Sequence, residues 1–318
     1  MNIRKIHKSF IHHRLPLIIA LLIFIALRIP WIGKGETLEL GVSMFIQIGT
    51  ALFLVHVVQK YTFIRQRTLL PALFYLLLVG TNSLFFYDLK GSIFSFLILL
   101  CLLFLFDAYQ KPFSQRNALN ISLVLTLGSF YWTPLLLFFP LFWYGMYKLE
   151  CLTIKTFFAN LTGWAVVYFF LFSWSVYKDD WAVFIQMLPD LSALWTFHFP
   201  HSVSIEDLVA NIFLGSLFIL SVFNIFLLGI AEKAQTRTLL GYLSVLTVVI
   251  AILFLGQNQW DKEWLLILYV PLSIVLAHYF TLSQKRATMW LFLFTVLFFL
   301  LLFAWQWIPG QWFSQIGI

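Results

Sequence analysis

Charge is scarce in this chain. Asp, Glu, Lys and Arg together supply only 10% of its 318 residues, too few to solvate a soluble protein of that size. Cysteine is scarcer still, at two residues. Cys101 lies in an apolar run and Cys151 in a short basic turn, so a disulfide framework is excluded and neither has a metal-ligand neighbour. Both read as small apolar filler. Gly-rich phosphate loops, the His-x-x-x-His pair of zincins and the serine-hydrolase elbow are all missing, which argues against an energised pump or a metalloprotease. Ionisable side chains at mid-membrane depth are missing too, because Arg28, His56, Asp107 and His278 all fall near the ends of apolar runs. A proton or ion relay needs such groups at depth, so a secondary transporter is also disfavoured.

What the chain does have is apolar bulk: 62% hydrophobic and 19% aromatic residues. Runs long enough to cross a bilayer recur from end to end. Lipid offers the backbone no partners, so each run must be a helix. The expected fold is an all-α, polytopic transmembrane bundle forming one integral membrane domain over residues 1–318. Eleven spans are expected, near 15–32, 40–58, 69–86, 92–109, 117–131, 133–148, 156–176, 208–230, 238–256, 263–283 and 288–308. The basic N-terminus (Arg4, Lys5, Lys8, Arg14) is followed by an apolar run with no small-residue cleavage site, so the first span reads as uncleaved. Pro134 and Pro140 would interrupt one long helix, and a tight hairpin at Tyr131-Trp132-Thr133-Pro134 fits better.

Charge sidedness tests that map. With the N-terminus cytoplasmic and the C-terminus outside, fifteen of the twenty basic residues fall on the inner side, at least two in every inner loop, as the positive-inside rule requires. Fusing the fifth and sixth spans would destroy the bias. Acids sort the other way: Asp107, Glu150 and Glu232 inside, the remaining ten outside. The basic face suits cytoplasmic orientation and anionic headgroups; nucleic acid is not needed. The implied location is a membrane.

Three charged clusters lie at the outer boundary. One joins Arg28 to Lys34, Glu36 and Glu39. A second is Asp88 with Lys90. The third occupies the longest outer loop, 177–207, with Lys178, Asp179, Asp180, His198 and His201. Apolar residues from Phe184 to Trp195 follow helical spacing there, predicting a helix lying in the outer interface. His198 and His201 have no third ligand in sequence, so no metal is expected. A carboxylate of these clusters can serve as general base while a cation holds a phosphate; isolated loop charges that merely solvate short turns would look alike. If residues 36–39 are helical, Glu36 and Glu39 share a face; if extended, they point to opposite sides.

The order of these parts resembles the GT-C superfamily of polyprenyl-phosphate-sugar glycosyltransferases over residues 15–150: a first outer loop with carboxylates, an acid near the fourth span, and a paired fifth and sixth span hinged at Tyr131-Trp132-Thr133-Pro134. The chain also resembles a group of polytopic inner-membrane proteins of Bacteroidota. The first resemblance implies transfer of a sugar from a polyprenyl-phosphate carrier to an acceptor at the outer face. Glu36 or Glu39 would be the catalytic first-loop acid and Asp88 the second. Arg28, Lys34, Lys90 or Lys178 would bind the phosphate. No cofactor is implied beyond the lipid-linked donor. The competing expectation is a non-catalytic membrane subunit or assembly factor of a cell-envelope complex, its aromatic-rich spans covered by partner proteins.

Overall fold

The computed structural model describes residues 15–33, 36–64, 68–179, 181, 205–228, 232–256, 262–282 and 286–305. Among them every regular element is helical, and an α-helix lies in each of the eleven expected apolar stretches: α1 Leu15–Ala26, α2 Thr37–Lys60, α3 Leu70–Gly80, α4 Leu89–Asp107, α5 Gln115–Ser129, α6 Phe138–Lys148, α7 Ile154–Lys178, α8 Ile205–Leu228, α9 Ala234–Leu255, α10 Lys262–Leu282 and α11 Arg286–Trp305. Seven of these (α2, α4 and α7 to α11) are long and apolar enough to cross a membrane. The protein is therefore a helical, multi-pass membrane type. The remaining four are shorter than a bilayer core, which takes about 20 helical residues. The interfacial helix expected at 177–207 falls almost wholly outside the described residues, as do Lys34, Asp180, His198 and His201.

Two helices stop earlier than the apolar runs suggest, for local reasons. α1 ends at Ala26, and Pro30 then opens a 3₁₀ turn over Ile29–Trp31. Gly33 follows at φ +88°, a conformation that costs glycine little and other residues more. α3 ends at Gly80 because Asn82, two residues on, turns extended at φ −116° and ψ 116°. The Asn82 side chain then accepts from the Leu84 amide at 3.0 Å, starting a second 3₁₀ turn over Ser83–Phe85. Residues 81–88, apolar enough to read partly as span, thus become a folded loop.

The chain forms two compact units: residues 1–95, 201–251 and 261–318, and residues 96–200 with 252–260. The first is built on α3 and α10, which pack against each other; α1 and α2 lie on α3, and α8 lies on α10. α10 is buried on every side, seventeen of its residues being enclosed from Trp264 to Thr281, as befits a helix with no solvent or lipid face. Phe74 of α3 stacks on Phe280 of α10 at 5.2 Å and meets Phe292 of α11 edge-on at 5.8 Å. The turn after α2 meets the start of α9, where the Thr236 hydroxyl reaches the Thr62 carbonyl at 3.5 Å.

The second unit pairs α5 with α7 along a close seam. Gly163 permits the approach: a Cβ there would lie 2.9 Å from the Leu119 carbonyl oxygen and 2.9 Å from the Ser122 Cβ. Asn160 ties three helices together. Its amide donates to the Ala118 carbonyl at 3.0 Å, and its carbonyl accepts from Trp143 Nε1 at 3.0 Å. α7 opens on a reciprocal cap between Thr153 and Thr156, which satisfies amides otherwise left orphaned at a helix start. The sharp reversal expected at Tyr131–Pro134 is present: Tyr131 and Trp132 turn back on Gly128, and a 3₁₀ segment over Thr133–Leu137 leads into α6. The Cys151 thiol is buried, and that desolvation pushes it up to about 11, the behaviour of an unreactive thiol.

Candidate functional site

The polar interior of the first unit begins on one stripe of α2. Glu39, Ser43, Gln47 and Thr50 succeed one another at four, four and three residues, so they share a helix face. Ser43, Gln47 and Thr50 are fully buried; Glu39, in the first turn, is half-buried. Ser43 donates to the Phe86 carbonyl, locking α2 onto the loop before α4. Gln47 does more. Its Nε2 donates to the Phe85 carbonyl at 3.1 Å and to Ser92 Oγ at 2.7 Å, while its Oε1 accepts from Arg28 Nη2.

Arg28 is therefore drawn inward, to 1% exposure. Its guanidinium carbon sits 3.9 Å from the Phe24 ring centre and 4.8 Å from that of Phe86, two cation–π contacts that offset part of the desolvation. Its Nε and Nη1 have no hydrogen-bond partner among the described residues. Buried polar groups are normally paired, so two unpaired guanidinium nitrogens stand out.

Asp88 closes the other end of the network. Its backbone carbonyl accepts from Ser92 Oγ, and its Oδ1 accepts from the Gly91 amide at 2.9 Å, covering a free N–H at the start of α4. Oδ2 has no hydrogen-bond partner among the described residues, and the residue is 3% exposed. Desolvation by burial pushes the Asp88 carboxyl up to about 6, reinforced by nearby Glu263; the Gly91 amide and then Lys262 and Lys90 pull the other way. Glu263 and Lys262, at the head of α10, thus share the electrostatic environment of Asp88. Deeper in, the Tyr75 hydroxyl lies 3.1 Å from Ser95 Oγ, which itself donates to the Ser92 carbonyl.

The structure thus brings some of the expected residues together. Arg28 and Asp88 belong to one hydrogen-bonded chain running through Gln47 and Ser92, and Glu39 stands one turn from Ser43 on the same stripe. Glu36 does not join it: it is the extended residue preceding α2 (ψ 106°) and is exposed. The paired-face arrangement considered for Glu36 and Glu39 is thereby resolved, with only Glu39 in the helix. Lys90 is exposed near Asp88. Lys178 lies in the second unit, against Trp174 at 5.4 Å. The first-loop turn is pinned to the Asp88 loop by Tyr87, whose hydroxyl donates to the Trp31 carbonyl.

Gln47, Ser43 and Ser92 were missed by a search for charged residues. The available signal was the spacing of neutral polar residues within an otherwise apolar helix, where lipid offers them no partner. His278, 1% exposed in α10, has both ring nitrogens without a partner among the described residues, apart from this network. Among the described residues no three His, Cys, Asp or Glu side chains come together to hold a metal ion. Comparison with known protein families, curated proteins and solved structures finds no match.

Proposed function

We propose that the protein is a multi-pass glycosyltransferase of a bacterial inner membrane, with its N-terminus cytoplasmic and eleven crossings, moving a sugar from a polyprenyl-phosphate carrier to an acceptor at the outer face. One observation carries the reading: the stripe headed by Glu39 runs through Ser43 and Gln47 into the network that holds Asp88, with Lys90 and Lys262 alongside. Carboxylates at the membrane boundary backed by cations are what an acceptor hydroxyl and a departing phosphate require. The resemblance to GT-C enzymes over residues 15–150 points the same way.

In this mechanism the Glu39 carboxylate takes the proton of the acceptor hydroxyl as its oxygen attacks the anomeric carbon. The bond from that carbon to the phosphate oxygen breaks, and the electron pair leaves with polyprenyl phosphate. Lys90 and Lys262 meet the charge that develops there. Asp88, whose carboxyl burial raises to about 6, is the second acid and exchanges a proton with the phosphate. Arg28, held through Nη2 by Gln47, takes no part in the transfer.

The test is sugar transfer from a synthetic polyprenyl-phosphate sugar by the purified protein in lipid nanodiscs. Glu39→Gln should lower the rate about 10²- to 10⁴-fold, the usual worth of a general base, with the melting temperature unchanged. Full activity in a Glu36→Gln, Glu39→Gln double variant would sink the mechanism. A folded wild type without any transfer would leave the alternative, a non-catalytic subunit or assembly factor of an envelope complex. That alternative draws on α7, whose Phe158, Phe169, Phe170 and Trp174 remain exposed for a partner or for lipid.

A further inference from the structure

Beside the network lies an apolar groove of about 300 Å³ between α1, α3 and α11. Ile23, Phe24 and Leu27 line it from α1, Leu77 and Thr81 from the α3 side, and Leu297 from α11. Thr81 is its one polar residue. The α1 wall runs from Ile19 to Leu27, about 12 Å at the helical rise, and Arg28 follows at once. One ring separates the two: Phe24 lines the groove and also carries the Arg28 guanidinium on its face at 3.9 Å. That ring sits where Gly80 has no side chain; a Cβ there would lie 2.7 Å from Phe24 Cδ2.

We propose that groove and guanidinium form one binding site for an anionic phospholipid of the bilayer. An acyl chain lies along α1 in the groove, and the phosphate pairs with an unpartnered N–H of Arg28, at Nε or Nη1, once the Phe24 ring swings aside. Three observations converge. The groove is apolar apart from Thr81 and follows the apolar helix α1. Its α1 wall leads directly to Arg28, just past the end of that helix. And Arg28 leaves two buried nitrogens there without partners among the described residues, each an N–H that a phosphate oxygen can accept from. Gln47 holds Nη2 and so fixes the guanidinium in place. The site stands whether or not the protein transfers sugar, because it uses neither Glu39 nor Lys90.

Native mass spectrometry of protein reconstituted with equal amounts of phosphatidylglycerol and phosphatidylcholine tests this without any sugar donor. Wild type should retain one phosphatidylglycerol in preference to phosphatidylcholine. Arg28→Gln should weaken retention about tenfold to a hundredfold, the worth of charge-assisted hydrogen bonds, and Arg28→Lys should restore part of it. Leu297→Trp, on a residue more than half exposed, should fill the groove and expel the lipid while leaving Arg28 and the melting temperature untouched. Phe24→Ala should tighten retention. Equal retention of the two lipids, or retention indifferent to both Arg28→Gln and Leu297→Trp, would overturn the proposal. So would displacement of phosphatidylglycerol by equimolar polyprenyl phosphate, which would give the groove to the donor.

Discussion

Helices α10 and α11 follow each other in the chain and are nearly equal in length, 21 and 20 residues. α11 is the more apolar by hydropathy, yet α10 is the buried one. Seventeen residues of α10 are enclosed, whereas α11 buries only Thr288, Phe292, Thr295, Phe299 and Phe303. Those five recur at four, three, four and four residues, the stripe of a helix packed on one side. In water the greasier helix goes inside. In a bilayer the lipid tails are as apolar as the core, so apolarity carries no information about which helix is central. Neutral polar residues do carry it, because they gain only from a protein neighbour. That logic puts Ser43 and Gln47 of α2 against the carbonyls of Phe86 and Phe85 in the Asp88 loop, whereas the buried Ser273 and Thr281 of α10 turn their hydroxyls onto their own helix.

The sharpest way to break this comparison uses one residue type on both helices. Trp264 of α10 is fully buried, and Trp290 of α11 is 63% exposed. Trp264→Ala should cost about 3–5 kcal/mol of unfolding free energy, while Trp290→Ala should stay within about 0.5 kcal/mol, as measured by denaturant titration in detergent micelles. Equal losses would mean that α10 is not central.

The second prediction concerns the acid that α10 helps to enclose. The Asp88 carboxyl is raised from 3.8 to about 6 in the fold, so the folded protein binds this proton more tightly than the unfolded chain. Stability from this group is complete below about pH 4 and is lost as pH rises through about 6, by at most about 3 kcal/mol for a shift of this size. Thermal unfolding of wild type should therefore fall across that window, and Asp88→Asn should flatten the slope. A slope that persists in Asp88→Asn would place the titration elsewhere.

The smallest effect compares glycines. Gly163→Ala forces a Cβ against the Leu119 carbonyl and should cost about 1–3 kcal/mol. Gly241→Ala meets nothing within 4 Å and should be neutral or stabilising by up to about 1 kcal/mol. A melting-curve pair that shows no difference would remove the close α5–α7 seam.

How much of this was legible in the sequence follows from the same physics. All eleven helices were, since a long apolar run in lipid has no alternative to a helix. The Tyr131–Pro134 reversal was legible through proline and charge sidedness together. Helix ends were not: Leu84, Phe85 and Phe86 are as apolar as any span, and the extended, capping Asn82 is what stops α3 before them. Of the site, Arg28 and Asp88 stood out as lone charges at span ends, but their joining did not, because it runs through the uncharged Gln47 and Ser92. Asn160 did not stand out in the sequence, although its side chain fastens α5, α6 and α7.

The enclosure of α10 also dictates an order of assembly. Phe74 of α3 finds its stacking partner Phe280 roughly two hundred residues further along the chain. Helices enter the bilayer as they are synthesised and associate afterwards, so α3 must wait against lipid tails until α10 arrives and displaces them. The first unit consolidates last, around its penultimate described helix, and a ribosome that stalls before residue 262 leaves behind a set of inserted helices with no centre.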